Sequence, residues 1–171
     1  MPHAGTVSEM VDPVELSPFA QADAPVVVGW VRTDEEADAW ASLRLDDVSV
    51  ARFEAWHADA DVHPFVLRDE GRVCGYGEVW TDDEEGEAEL ARIVVDPQWR
   101  GRGVGRRLTE LLAAEARRLG FEDVWLRVVP ANTVAIACYA GAGFVRANAE
   151  VEAAFNQPQP REYVWMRFNR T

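Results

Sequence analysis

The sequence predicts an α+β fold: a mixed, mostly antiparallel sheet of about seven strands, with one parallel pair near its centre, flanked by about four helices. Three observations carry that expectation. Residues 64–95 hold three strand-like runs in succession, joined by short turns, which is the pattern of an antiparallel meander. A long segment of helical periodicity separates the third run from the next, so those two strands should lie parallel, joined by a right-handed crossover. Helix caps and stops fall where the periodicity changes.

The elements follow in order. Residues 1–24, with Pro2, Pro13 and Pro18, read as an N-terminal tail or lead-in, and residues 25–171 as a single domain. Val26 to Val31 is a β-branched run expected to be a buried strand. Thr33 caps a helix running to about Leu45, with Glu36 at capping-box spacing. A second helix begins near Ser49. Pro64–Arg68, Arg72–Trp80 and Ala88–Val95 are the meander, broken by turns at Asp69–Gly71 and at the acidic stretch around Gly86. Val104, Leu108, Leu111, Leu112 and Leu119 share a helical face that stops at Gly120. Asp123–Val129 is the next strand. Asn132 or Thr133 caps a short helix ending near Ala142, and Phe144–Ala153 and Tyr163–Phe168 complete the sheet. Trp80 and Trp125 sit on strands as expected core residues.

Charge is uneven along the chain. The net charge is −13 over 171 residues, and every basic side chain other than the three His is Arg. Residues 1–90 carry five Arg against 22 acids, whereas residues 91–171 carry twelve Arg against eight. The acidic excess would repel nucleic acid and anionic membrane, and it either favours a cationic partner or serves solubility. No apolar run approaches the ~20 residues of a membrane span, and the N-terminus lacks a basic n-region, so a cytoplasmic location is the default expectation. Cys74 and Cys138 lie in no CxxC pair and have no His at ligand spacing, so they are expected to be reduced thiols and no metal site is expected. His3, His57 and His63 are scattered and read as surface or satisfied-core residues.

The arginine excess gathers at Arg100, Arg102, Arg106 and Arg107, interleaved with Gly101, Gly103 and Gly105 at the start of a helix. Glycines let main-chain N–H groups approach an anion, and the helix N-terminus adds a favourable dipole. This is a phosphate cradle. The absence of Lys excludes a GxxxxGK[ST] loop, and the GxGxG spacing after a meander does not suit a dinucleotide fold.

The run Arg100-Gly101-Arg102-Gly103-Val104-Gly105 resembles the [Q/R]xxGxG/A signature of the GNAT superfamily of acyl-CoA-dependent N-acetyltransferases. Asn132 to Tyr139, followed by Gly143-Phe144, resembles that family's second signature, NxxAxxxYxxxGF. The resemblance covers about Val26 to Phe168. It implies a splay between the Ala88–Val95 and Asp123–Val129 strands into which acetyl-CoA fits as co-substrate. Cofactor contacts are then expected from Ile93, Val94 and Val95, from Arg100, Gly101, Arg102, Gly103, Val104, Gly105 and Arg106, and from Asn132 and Tyr139, with Arg107 as a further phosphate candidate. Tyr139 is the expected general acid for the departing thiolate, and an amide near Val94 or Val95 the oxyanion donor. Glu89 and Glu78 are the two candidates for the base; each could equally be a surface carboxylate. The implied activity is transfer of an acetyl group to a primary amine, on a small molecule or a peptide, by direct attack in a ternary complex. A non-catalytic acyl-CoA sensor is the alternative, and a homodimer is compatible with both. Thr33–Asp61 and Asn156–Arg161, where the family selects its acceptor, carry no readable motif.

Overall fold

A computed structural model describes residues 14–169. Seven strands form one sheet in the order β1-β2-β3-β4-β5-β7-β6, with six helices around it. The strands are β1 Val14–Pro18, β2 Val62–Asp69, β3 Arg72–Asp82, β4 Glu87–Val95, β5 Asp123–Val128, β6 Phe144–Arg146 and β7 Val164–Phe168. The helices are α1 Ala24–Val28, α2 Asp34–Ala41, α3 Val50–His57, α4 Val104–Arg118, α5 Thr133–Gly141 and α6 Ala149–Asn156. Every strand pair is antiparallel except β4 and β5. No helix among the described residues is long and apolar enough to cross a membrane.

Two layers cover the sheet. Leu67, Val79, Leu90, Leu126 and Met166 face α4, whose Leu108, Leu112, Ala113 and Ala116 are buried against them. The approach is close: a Cβ on Gly77 would lie 2.5 Å from Leu112 Cδ1. Burying a leucine such as Leu112 contributes about 2 kcal/mol. On the opposite face a second cluster gathers Ala24, Val27, Trp30, Phe53, Val66 and Tyr76 beneath α1 and α3. Farther along that face α6 packs Phe155 against Trp125 and Trp165.

The caps behave as the sequence predicts. Thr33 Oγ1 accepts from Glu36 N–H, Ser49 Oγ from Arg52 N–H, and Asn132 Oδ1 from Ala135 N–H. Three segments differ from expectation. The Val26–Val31 run is not a strand. Pro25 suits a first helical turn, and the buried residues Ala24, Val27 and Val31 recur at helical spacing while Val26 is 47% exposed. The edge strand is Val14–Pro18 instead, inside the expected lead-in. It pairs with β2 from Val14↔Asp69 to Pro18↔Phe65, and proline is tolerated at a sheet edge. Residues 1–13 of that lead-in, His3 among them, lie outside the described residues. The expected Phe144–Ala153 strand stops at Arg146. Asn148 then caps α6 through Val151 N–H, and the Ala- and Glu-rich run that follows prefers helix.

Candidate active site

The parallel pair opens. β4 and β5 are bridged from Glu87↔Asp123 to Leu90↔Leu126, and no further bridge joins them among the described residues. Beyond Leu90 the strands diverge and leave a cleft of about 730 Å³. Its walls are Ala91–Val95 of β4, Leu126–Val128 around the end of β5, the glycine loop, and the Asn132, Cys138 and Tyr139 side of α5.

The glycine loop is shaped by backbone conformation. Gly101 and Gly103 have φ of 75° and 79°, and a Cβ on either would project into open space. Gly103 is the N-cap of α4, whose first N–H groups have no intrahelical acceptors. Gly105 lets α4 approach α5, since a Cβ there would lie 3.2 Å from Cys138 Sγ. A fifteen-residue helix therefore aims its amides and dipole at an accessible concavity, which fits a pyrophosphate.

Most of the expected cofactor residues meet at this cleft. Ile93, Val94, Val95, Arg100, Gly101, Gly103, Gly105, Arg106, Asn132 and Tyr139 line it. Arg102 and Val104 do not: the Arg102 guanidinium lies over Trp99, and Val104 packs on the core. Arg107 is also outside, and Glu110 engages both Arg106 and Arg107. Arg100 Nε donates to Val95 O at 3.2 Å, which ties the loop to the end of β4. Asn132 Oδ1 is occupied by its cap, so its Nδ2 is the group left to face a ligand. The Tyr139 hydroxyl makes no hydrogen bond to a described residue, and burial raises its pKa, holding the phenol neutral.

The two carboxylate candidates separate. Glu78 is fully buried and lines neither this cleft nor the groove on the other face. Its Oε1 accepts from Trp80 Nε1 at 2.9 Å and from Arg92 at 2.7 Å, and its Oε2 accepts from the Tyr76 hydroxyl. Tyr76 also meets His57 Nε2 at 2.9 Å. The one hydroxyl proton goes to Glu78, so His57 is the donor in that contact. With both oxygens engaged and neither of these two cavities lined by it, Glu78 is placed as an internal hydrogen-bond acceptor. Glu89 differs. It sits on the last bridged stretch before the splay, on the face away from α4, and it lines the second groove. Arg127 Nε lies 2.8 Å from its Oε1. Burial nevertheless pushes its pKa from 4.5 up to about 7, with Arg127 pulling the other way.

Arg92 is the residue that motif reasoning missed. It has φ of 49° at a β-bulge, where the register with β3 shifts between Tyr76 and Glu78. Its guanidinium is clamped by Glu78 and lies 3.8 Å from the Trp56 ring centroid, and its carbonyl accepts from Trp40 Nε1 at 2.7 Å. A charge inside the apolar ELARIVV run was the available signal. Trp125 is buried in the core as expected and Trp80 is half-buried, and both also border the second groove. Cys74 is buried, with its thiol donating to Leu67 O, and Cys138 is half-buried beside the cleft.

Comparison with known proteins agrees with this architecture. The chain is 32% identical to the mycothiol acetyltransferase of Geodermatophilus obscurus over 131 residues, 71% of this chain but 42% of that protein. It is 37% identical to the IAA acetyltransferase of Azospirillum brasilense over 87 residues, 51% of this chain and 57% of that one. The chain thus spans about half the length of these relatives. Aminoglycoside acetyltransferase AAC(6')-Ib, solved with coenzyme A and kanamycin, shares the fold with a TM-score of 0.71 at 22% identity, over 92% of this chain and 95% of that one. The pattern that defines the Acetyltransferase (GNAT) family matches residues 24–144, and the chain belongs to that family.

Proposed function

We propose that the protein transfers an acetyl group from acetyl-CoA to a primary amine by direct attack in a ternary complex. The observation that carries this reading is a convergence at the point where β4 and β5 part. An amide-lined glycine loop and the Tyr139 phenol line the cleft on one side of it, and the Glu89 carboxylate lines the groove on the other.

The residues fit the co-substrate. The amides from Gly103 to Arg106 receive the pyrophosphate, Arg100 and Arg106 flank it, and Asn132 Nδ2 donates to the pantetheine arm. When bound, acetyl-CoA supplies an acetyl group activated as a thioester. Glu89 receives the proton of the attacking amine, directly or through one water. An alkylammonium of pKa ~10 has no lone pair, so the neutral amine, formed by loss of a proton to solvent, is the nucleophile; its N–H becomes strongly acidic as the C–N bond forms, and a carboxylate with a pKa near 7 can take that proton. An amide near Val94 or Val95 donates to the carbonyl oxygen as charge develops there. Tyr139 holds its proton through the approach and gives it to the departing sulfur. Glu78 is a positioning residue: it locks Arg92, and with it the β4 bulge, at the end of the bridged stretch.

A thiol-release assay with acetyl-CoA against a broad amine panel, run beside calorimetry with coenzyme A, tests the reading. Coenzyme A is expected to bind, and at least one amine to give release that Tyr139→Phe suppresses. Binding without release from any amine would mark a non-catalytic sensor, and loss of both would overturn the cleft assignment.

A further inference from the structure

The face opposite α4 carries a second cavity, of about 880 Å³, between α3, the β3–β4 hairpin and α6. Arg92 lines both cavities, so the two meet at the splay. A row of register partners crosses the sheet beneath this groove: Trp80 on β3, Glu89 on β4, Trp125 on β5 and Arg167 on β7. Partners on neighbouring strands stand about 5 Å apart and put their side chains on the same face. Glu89 is therefore flanked by two indoles.

The two indoles differ. Trp80 Nε1 donates to Glu78 Oε1 at 2.9 Å. Trp125 Nε1 is buried and has no acceptor. Its ring is held by the edge of Phe155, with centroids 4.9 Å apart, and by the Arg167 guanidinium 5.5 Å from its centroid. Acceptors on the neighbouring elements are engaged elsewhere: Asp123 Oδ1 by Arg167, Asn156 Oδ1 by Trp165 and Gln159 Oε1 by Arg127. Across the register, Glu89 Oε1 is buried and equally without a hydrogen-bond donor. Arg127 Nε lies 2.8 Å from it, an ion pair whose N–H does not point along a hydrogen bond. Each of the two orphaned atoms exposes less than 1 Å², so neither adjoins space for a water. A sealed donor and a sealed acceptor on paired residues are then left to satisfy one another.

We propose that Trp125 is a positioning residue for Glu89: its indole N–H donates directly to Oε1 of the ionised carboxylate and leaves Oε2 as the oxygen that takes a proton. The bond forms by adjustment of the Glu89 χ angles, with the backbone register unchanged. Glu89 Oε2 makes no hydrogen bond to a described residue and is not sealed as Oε1 is. The use made of Oε2 rests on the acetyl-transfer reading above, whereas the indole contact does not.

The charges that act on Glu89 are Arg127 on β5 and Arg92 and Glu87 on β4. Glu78 on β3 is committed to Arg92, and Arg167 on β7 to Asp123. Trp56 of α3 and Phe155 of α6 bring aromatic rings to the groove, and Asp59, Asp61, Asp82 and Glu85 line its remaining walls. Removing an uncharged indole N–H alters none of these charges. A donor to the ionised form favours that form, so losing it makes Glu89 harder to ionise.

The test follows the indole N–H signals by nitrogen-edited NMR from about pH 5 to about pH 9, beside kcat/KM over the same range. The Trp125 signal, assigned through its own backbone, is expected to shift with the midpoint of the acid limb of kcat/KM. Glu89→Gln should abolish that shift, and the Trp80 signal should move far less. Trp125→Phe should lower kcat/KM about tenfold near pH 6 and leave it within about twofold near pH 9, with coenzyme A affinity unchanged. An equal loss at every pH, or a Trp125 signal indifferent to pH, would overturn the proposal. If Trp125→Phe does not fold, the wild-type indole titration compared with Glu89→Gln decides alone. A limb abolished by Glu89→Gln beside a motionless Trp125 signal would sink the indole contact and leave Glu89 standing as the base. A Trp125 signal that titrates with Glu89, in a protein whose kcat/KM has no such limb, would keep the contact and remove the base.

Discussion

The two cavities that meet at Arg92 are built from different materials. The cleft between β4 and β5 is made largely of backbone: a glycine loop, a helix N-terminus and a strand edge freed by the splay. The groove on the other face is made of side chains, chiefly aromatics and carboxylates, from α3, β2, β3, β4, β5, α6, β7 and the turns between them. A backbone site binds what any member of a fold family must bind, because amides and dipoles do not vary with side-chain identity. A side-chain site can be rewritten residue by residue.

The sharpest way to break the comparison is to put a side chain into the backbone site. Gly103→Glu places a β-carbon on a residue with φ of 79° and a carboxylate where the phosphates are expected. Coenzyme A affinity should fall more than a hundredfold by calorimetry. Equal affinity would show that the loop is not the phosphate site.

Glu89→Gln should cost about a thousandfold in kcat, since general base catalysis is typically worth 10²–10⁴-fold. The pH profile separates a base from a structural carboxylate. The base is active when ionised, so wild-type kcat/KM should fall as pH drops through about 7, and the variant should lose that limb. Stability should move the opposite way. A carboxyl whose pKa is raised from 4.5 to about 7 in the fold contributes stability below about 4.5 that is lost as pH rises through 7. The variant should therefore melt higher than wild type at pH 8, by up to about 3 kcal/mol, with the gap closing toward pH 4.5. A variant less stable at every pH would mean that the Arg127 pair outweighs the burial of the charge.

Tyr139→Phe should lower kcat about a hundredfold with little change in coenzyme A affinity, because the hydroxyl makes no hydrogen bond to a described residue and, on the proposed mechanism, is needed only as the thiolate leaves. Poor leaving groups should suffer most, and a thioester of lower thiol pKa should rescue part of the loss. Loss of affinity with normal kcat would make the residue a binding contact instead.

These differences also explain what was legible in the sequence. The glycine loop and the α5 signature could be read because a backbone site leaves local marks: glycines where φ is positive, a cap at Asn132, a fixed seven-residue step to Tyr139. The meander and the parallel crossover were legible for the same reason, since turn residues and period declare them. Val26–Val31 misled because a β-branched run looks alike in a strand and in a buried helical turn, and only Pro25 and the burial of Ala24, Val27 and Val31 decide it. Glu78 and Glu89 looked equivalent as acids on neighbouring strands. Their difference comes from Tyr76, Trp80 and Arg92 closing around one and not the other, a tertiary fact with no local sign. The groove was invisible because its walls come from seven separate elements.

The smallest effects are expected at the rim of the backbone site, and there the comparison can be sharpened. Arg106 lines the cleft and Arg107 does not, yet both are exposed and both engage Glu110, at 3.1 and 3.6 Å. If amides and dipole hold the phosphates, exposed guanidiniums already shared with a carboxylate add little. Arg106→Ala should then weaken coenzyme A about threefold to tenfold, and Arg107→Ala less than about twofold, with both effects shrinking at high salt. Glu110→Gln releases both arginines and should tighten coenzyme A slightly. A hundredfold loss in Arg106→Ala would show instead that a single side chain dominates phosphate recognition. The distinction between a backbone-built cleft and a side-chain-built groove would then no longer hold at the phosphate end.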